Sequence, residues 1–155
     1  MVKAYLGLGS NLGNREKNLK GCIKRLKVLR GVKLLCASQF YENEPVGGPP
    51  QPSYLNAAVA IETSLNPKEL LKILQGVESS FNRLRNVKWG PRTLDIDILL
   101  YGNEIVTDDD LVIPHTLMHE RLFVLKPLSE IAADAKHPIL DKTIAELLIS
   151  FRSRQ

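Results

Sequence analysis

The stretch TLDIDILLYG at residues 93–102 constrains the fold more than any other. Leu94, Ile96, Ile98 and Leu100 alternate with Asp95, Asp97 and Leu99. That period of two predicts a strand with aliphatic side chains on one face and both carboxylates on the other. Aspartate is disfavoured in strands, so two of them in one strand point to a task other than folding. Carboxylates at i and i+2 have Cα atoms about 6.7 Å apart by strand rise, close enough for their oxygens to converge on shared cations. Hard oxygen donors favour Mg²⁺, which completes its shell with water and substrate phosphates. A sheet with one wet face would produce the same D-x-D pattern. The balance shifts with Arg92 just upstream, Arg83, Arg85 and Lys88 in the same stretch, and His115 and Arg121 further on. Cations beside a carboxylate pair describe a polyphosphate clamp; ion pairs among these residues are the plainer alternative.

A chain of 155 residues with 44% hydrophobic content suits a single domain, residues 1–155, whose core needs no metal or disulfide staple. No apolar run reaches the ~20 residues that cross a bilayer, and MVKAYLGLGS lacks the features of a signal peptide. A cytoplasmic protein with no membrane partner is expected. The net charge of +4 permits an anionic partner without choosing among nucleic acid, membrane surface and polyphosphate. Lys17, Lys20, Lys24, Arg25 and Lys27 crowd the first helical segment and read as a solvated face. Cys22 and Cys36 have no metal-ligand spacing and read as reduced core residues.

Residues 2–8 read as a strand, and GSNLGN as a turn leading into a helix that carries Leu19, Ile23 and Leu26 on one face. GLGSNLGN is not a dinucleotide fingerprint, because position 12 is leucine, and it lacks the G-K-[ST] ending of a P-loop. Segments 32–42 and 54–63 read as strands joined by ENEPVGGPPQPS, an irregular connection with four prolines and two glycines. Asn66, Pro67 and Glu69 start a helix with Leu70, Leu74, Val77, Phe81 and Leu84 along its core stripe. Leu71, Gln75 and Glu78 fall on a different face. A hairpin is predicted through Gly102 and Asn103, and Thr143 with Glu146 has capping-box spacing for a last helix. This order fits an α+β, ferredoxin-like domain: a mainly antiparallel sheet with helices on one face and ligand on the other. On segment 54–63, Tyr54 and Asn56 point away from Leu55, Ala57, Val59 and Ile61, toward that second face.

GLGSNLGN, FYENEPVG, QPSYLNAAVAIET, WGPRTLDIDILLYG, IPH at 113 and RLFVLKPLSEIA at 121 together resemble the 6-hydroxymethyl-7,8-dihydropterin pyrophosphokinases of folate biosynthesis. The resemblance covers almost the whole chain. It implies transfer of pyrophosphate from ATP to the pterin hydroxymethyl group, releasing AMP, with two Mg²⁺ ions bound by Asp95 and Asp97. It implies catalytic roles for Arg83, Arg92, Asp95 and Asp97. ATP contacts are implied for Leu71, Gln75, Arg85, Arg92, Ile98, His115 and Arg121. Pterin contacts are implied for Asn43, Val46, Gly47, Tyr54, Asn56, Trp89, Asp95 and Phe123, with Tyr54 and Phe123 sandwiching the ring. Arg83 and Trp89 match a loop that closes over ATP. The family is usually monomeric. Lys88, Thr116 and the acidic run Asp108, Asp109 and Asp110 depart from its pattern.

An RNA-binding module is the alternative of another class, since an open ferredoxin-like sheet and a basic charge also describe an RRM. The chain has no aromatic-glycine RNP1 pattern, and aromatics make up only 6% of it. No nucleic-acid partner is therefore expected. A second alternative is a kinase that transfers the γ-phosphoryl group of ATP.

Overall fold

The computed structural model describes residues 1–44, 50–81 and 93–154. In chain order these form β1 (Val2–Ser10), α1 (Arg15–Leu26), β2 (Val32–Ala37), β3 (Tyr41–Asn43), β4 (Tyr54–Thr63) and α2 (Pro67–Ser80). There follow β5 (Asp95–Tyr101), β6 (Val106–Thr107), β7 (Val112–Ile113), α3 (Leu122–Ala132), β8 (Lys136–His137), β9 (Lys142–Thr143) and α4 (Ile144–Ser153). The main sheet runs β2-β4-β1-β5, with β3 also paired to β4, and every pairing is antiparallel. The α+β, ferredoxin-like expectation holds.

Two apolar layers flank the sheet. On one face Leu19, Cys22 and Leu26 of α1 and Leu70, Leu74 and Val77 of α2 pack on Leu6, Leu8, Val59, Ile61 and Ile96. On the other, Leu125 and Leu128 of α3 with Ile144 and Leu147 of α4 pack on Ala58, Leu99 and Leu100. Each fully buried aliphatic side chain contributes about 1.5–3 kcal/mol. The second face is thus not wholly open: α3 and α4 cover part of it, and the small Ala58 and Ala60 leave room for α3 on β4.

Local chemistry explains where the elements begin and end. Asn66 and Thr143 each make a capping box, with Glu69 and Glu146 as the reciprocal acids. Segment 32–42 is two strands, because Ser38 substitutes for the ladder: its N–H donates to Ala58 O at 2.8 Å and its Oγ accepts Ala58 N–H at 2.9 Å. β1 extends through Gly7 and Gly9 to Ser10, so only residues 11–14 form the turn. The alternation in β5 breaks at a bulge, where Tyr5 pairs Leu100 but Leu6 pairs Ile98. Leu99 and Leu100 therefore both join the α3/α4 layer, and Tyr101 returns to the α1/α2 layer. Gly102 and Asn103 make a turn but no β5–β6 hairpin; β6 pairs with β7 instead, and Asp108–Asp110 lie at that hairpin's tip. Cys22 is buried as expected, with its thiol pushed up to about 12 by burial and then by Glu78. Cys36 is exposed on β2 and is not a core residue.

Candidate active site

The antiparallel register carries several candidate site residues onto one row and its neighbours across four strands. Asp95 lies opposite Gly9, Gly9 opposite Asn56, and Asn56 opposite Tyr41. One pair along, Asp97 lies opposite Gly7; in the other direction Tyr54 lies opposite Asn43. Directly opposed residues share a face, so Asp95, Asp97, Asn56 and Asn43 stand on the side facing away from α1 and α2. Two interstrand steps separate the Asp95 backbone from that of Asn56, about 10 Å in all. A carboxylate pair and an amide pair are therefore held at that spacing by the sheet itself.

Gly9 leaves room in the row for its neighbours on β4. A Cβ on Gly9 would lie 3.2 Å from Asn56 Oδ1 and 3.5 Å from Tyr54 Cδ1. Without it, the Asn56 amide and the Tyr54 ring lie close over β1. Asn56 is buried, and its Nδ2 donates to Asn43 Oδ1. Asn43 Nδ2 donates in turn to Glu44 O at 2.8 Å.

Polar side chains, of which Glu78 and Asn11 are buried, brace the ends of these strands. Glu78 is 5% exposed, and its Oε2 accepts the Ile96 N–H at 2.8 Å, the peptide between the two aspartates. Helical spacing alone puts Glu78 on the face of Leu71 and Gln75; the structure turns its carboxylate inward onto β5. Asn18 Nδ2 lies within hydrogen-bond distance of Ser10 Oγ, Leu12 O and Thr93 O, tying the end of β1 to the lead-in of β5. Glu130 of α3 accepts the Tyr41 hydroxyl at 2.5 Å and the Gln39 N–H at 3.1 Å, fastening β3 to α3. Arg15 and Asn11 hold the residues just before β4. None of these braces stands out in the sequence, because each depends on a partner distant along the chain.

His115 follows β7 and is tied to β5 through its N–H, which donates to Leu99 O at 3.1 Å. Burial, and then the Arg121 charge, lower its pKa, so the ring is neutral near pH 7. Its Nδ1 accepts the Leu117 N–H at 3.3 Å, which leaves the proton on Nε2. Arg121 precedes α3, with its guanidinium carbon 5.6 Å from the centre of the Phe123 ring. Leu71 is half-buried against the α1/α2 layer, Gln75 is exposed on α2, and Ile98 is 5% exposed within the core. Asp108 of the acidic run lies 3.6 Å from Lys68 Nζ. Val46, Gly47, Arg83, Arg85, Trp89 and Arg92 lie outside the described residues.

Asp97 is exposed and Asp95 half-buried at the start of β5. Among the described residues no group of three or more His, Cys, Asp or Glu is placed to hold a metal ion. A two-carboxylate donor set of this kind fits Mg²⁺, which keeps waters and takes oxygens from phosphate, better than an ion that needs a full protein cage.

Residues 5–133 match the family model described as 7,8-dihydro-6-hydroxymethylpterin-pyrophosphokinase. A Haemophilus influenzae 2-amino-4-hydroxy-6-hydroxymethyldihydropteridine pyrophosphokinase is 46% identical over 151 residues, covering 97% of this chain and 94% of that protein. A Bacillus subtilis protein of the same name is 48% identical over 128 residues, covering 83% of this chain and 77% of that one. Among solved structures, the Plasmodium falciparum HPPK-DHPS with STZ-DHP superposes with a TM-score of 0.79 at 16% identity, and so bears on the fold alone. That match covers 99% of this chain but only 44% of the solved one. The family model and the bacterial relatives span the strands and helices that build this site, and the chain belongs to the 7,8-dihydro-6-hydroxymethylpterin-pyrophosphokinase family.

Proposed function

We infer that this chain transfers pyrophosphate from ATP to the hydroxymethyl group of 6-hydroxymethyl-7,8-dihydropterin, releasing AMP, as a step of folate biosynthesis. The observation that carries the reading is the family match over residues 5–133, together with the Asp95/Asp97 pair and the Asn56/Asn43 amides on one sheet row. The row suits two ligands side by side, an anionic one at the carboxylates and a flat polar one at the amides.

Two Mg²⁺ ions held by Asp95 and Asp97 would supply the positive charge that lets these carboxylates and a triphosphate share one site. Phosphoryl-type transfer asks little covalent chemistry of a protein, so positioning and charge placement are the tasks of the side chains. His115, neutral with its proton on Nε2, is suited to donate to a phosphate oxygen. Arg121, Arg85 and Arg92 are assigned to the same anion, and Arg83 with Arg92 to the transferred group. Gln75 and Leu71 are assigned to the nucleoside end. The Ile98 side chain is buried, so any contact it makes there comes from its backbone. Asn43, Val46, Gly47, Tyr54, Asn56, Trp89 and Phe123 are assigned to the pterin, with Asp95 beside its hydroxymethyl group. Buried amides that hydrogen-bond a ring edge discriminate strongly, because a ligand lacking the matching groups leaves them unpaired.

The test is product analysis. Incubation with ATP, Mg²⁺ and the pterin should yield AMP and a pyrophosphorylated pterin. ADP instead would mark a γ-phosphoryl kinase, and no nucleotide product with tight, salt-sensitive RNA binding would mark an RNA module. No helix among the described residues is long and apolar enough to cross a membrane. We place the enzyme in the cytoplasm as a monomer, which light scattering coupled to gel filtration and fractionation of cells would check.

A further inference from the structure

Arg15, the first residue of α1, sends one nitrogen to both sides of a chain connection. Its Nη1 lies 2.7 Å from Glu42 Oε2, 3.0 Å from Ser53 O and 3.3 Å from Ser53 Oγ. Glu42 is the middle residue of β3, and Ser53 stands immediately before β4. Their neighbours Asn43 and Tyr54 face each other in the ladder. The turn before α1 reinforces the returning side, where Asn11 Nδ2 donates to Gln51 Oε1 at 2.7 Å and to Pro52 O at 3.1 Å. The Arg15 side chain is 30% exposed and that of Glu42 57%, so as a stability device the ion pair is weak. Its placement matters more: among the described residues the β3–β4 ladder has three residue pairs, and the guanidinium adds a tie at its open end to the one that Asn56 and Asn43 make within it.

We propose that Arg15 is a positioning residue for pterin binding, setting the spacing of Asn43 against Tyr54 by holding Glu42 and Ser53 to one guanidinium. The inference rests on the reading of Asn43, Tyr54 and Asn56 as pterin contacts. A wall held in place before the ligand arrives spares the ligand the cost of ordering it. That gain falls on pterin affinity. The carboxylates and His115 are held by other contacts, so ATP affinity and turnover are not drawn on.

The test measures KM for pterin, KM for ATP and kcat on Arg15→Ala, Arg15→Lys, Glu42→Ala and the Arg15→Ala/Glu42→Ala pair, with Tyr54→Ala as reference. Arg15→Ala should raise the pterin KM about fivefold or more, the scale of one lost charge-assisted hydrogen bond. Its kcat and ATP KM should stay within about twofold, the split that marks lost ground-state positioning. The double variant should be no worse than Arg15→Ala, because both changes remove one contact, and Arg15→Lys should recover part of the loss. A pterin KM within about twofold of the parent for Arg15→Ala, or an equal loss for ATP and pterin, overturns the proposal. If Arg15→Ala fails to fold, Glu42→Ala carries the same expectation and the same refutation. Weakened pterin binding in Tyr54→Ala with none in Arg15→Ala discards the clamp and keeps the pterin reading; no effect in either discards both.

Discussion

Asp95 and Asp97 hold no place in either apolar layer, so replacing them should separate activity from stability. Asp95→Asn and Asp97→Asn each keep the side-chain volume and remove the charge that attracts a cation. Each should lower turnover by more than about 100-fold while changing unfolding free energy by less than about 1 kcal/mol. Steady-state kinetics alongside urea unfolding checks both halves, and turnover near the parent's for both variants rejects the metal assignment. Gly9 makes the opposite kind of case. A methyl there would meet Asn56 Oδ1 at 3.2 Å, tighter than ordinary packing, yet alanine suits a strand better than glycine by about 0.5–1 kcal/mol. Gly9→Ala should therefore leave stability unchanged or higher and raise the pterin KM, with the ATP KM unmoved. The carboxylate pair was legible in the sequence because charge inside an aliphatic alternation has few explanations. The place of Gly9 was not: glycine is rare inside strands, so GLGS reads as the end of one, and only the register sets Gly9 between Asp95 and Asn56.

Helix α2 and strand β5 act as one unit through the buried carboxylate of Glu78. Its bond to Ile96 N–H fixes the peptide between the aspartates and satisfies a donor that water cannot easily reach. Glu78→Ala should cost about 1–3 kcal/mol, the price of leaving that donor unmet, whereas Glu78→Gln keeps an oxygen acceptor and should cost less. Denaturant unfolding of both variants tests the ranking; equal losses would place the energy in side-chain packing instead. The limits of α2 and α4 were legible because capping boxes are local, with both partners within one turn. The β5 bulge was not, since Leu94 to Leu100 alternates without a break and the extra residue exists only relative to Tyr5 and Leu6 of β1. The same holds for the division of segment 32–42, which follows from the pairing of Ser38 with Ala58.

The whole molecule is a sheet between two helical layers, and the lowered pKa values of His115 and His137 predict how its stability responds to pH. The sequence showed the α1/α2 layer as heptad stripes. The α3/α4 layer was hidden, because the strand face it covers offers Ala58 and Ala60, small residues that read as a vacant surface until a helix packs on them. Two imidazoles are withdrawn from solvent, His137 almost fully and His115 in part. His115 is held below its ordinary 6.5 by burial and then by the Arg121 charge. His137 is held below 6.5 by burial and then by His119, and its Nδ1 accepts the Leu140 N–H at 3.1 Å. As pH falls through 6.5 the unfolded chain gains protons on these residues while the folded chain does not. Stability must then drop with falling pH, because the unfolded state binds more protons. The stability the neutral rings confer is fully present above 6.5 and is lost below it until the folded rings themselves titrate. Glu146 titrates lower still, its carboxylate held below 4.5 by its Thr143 hydrogen bonds, so it adds nothing in this window. Urea midpoints should be flat from about pH 8 to 7 and fall from about 6.5 to 5. Repulsion among the excess positive charges would also destabilise an acidified chain, but ~0.5 M salt screens exposed charges and leaves buried rings largely untouched. A decline that disappears in salt would assign the effect to surface charge; one that persists assigns it to His115 and His137.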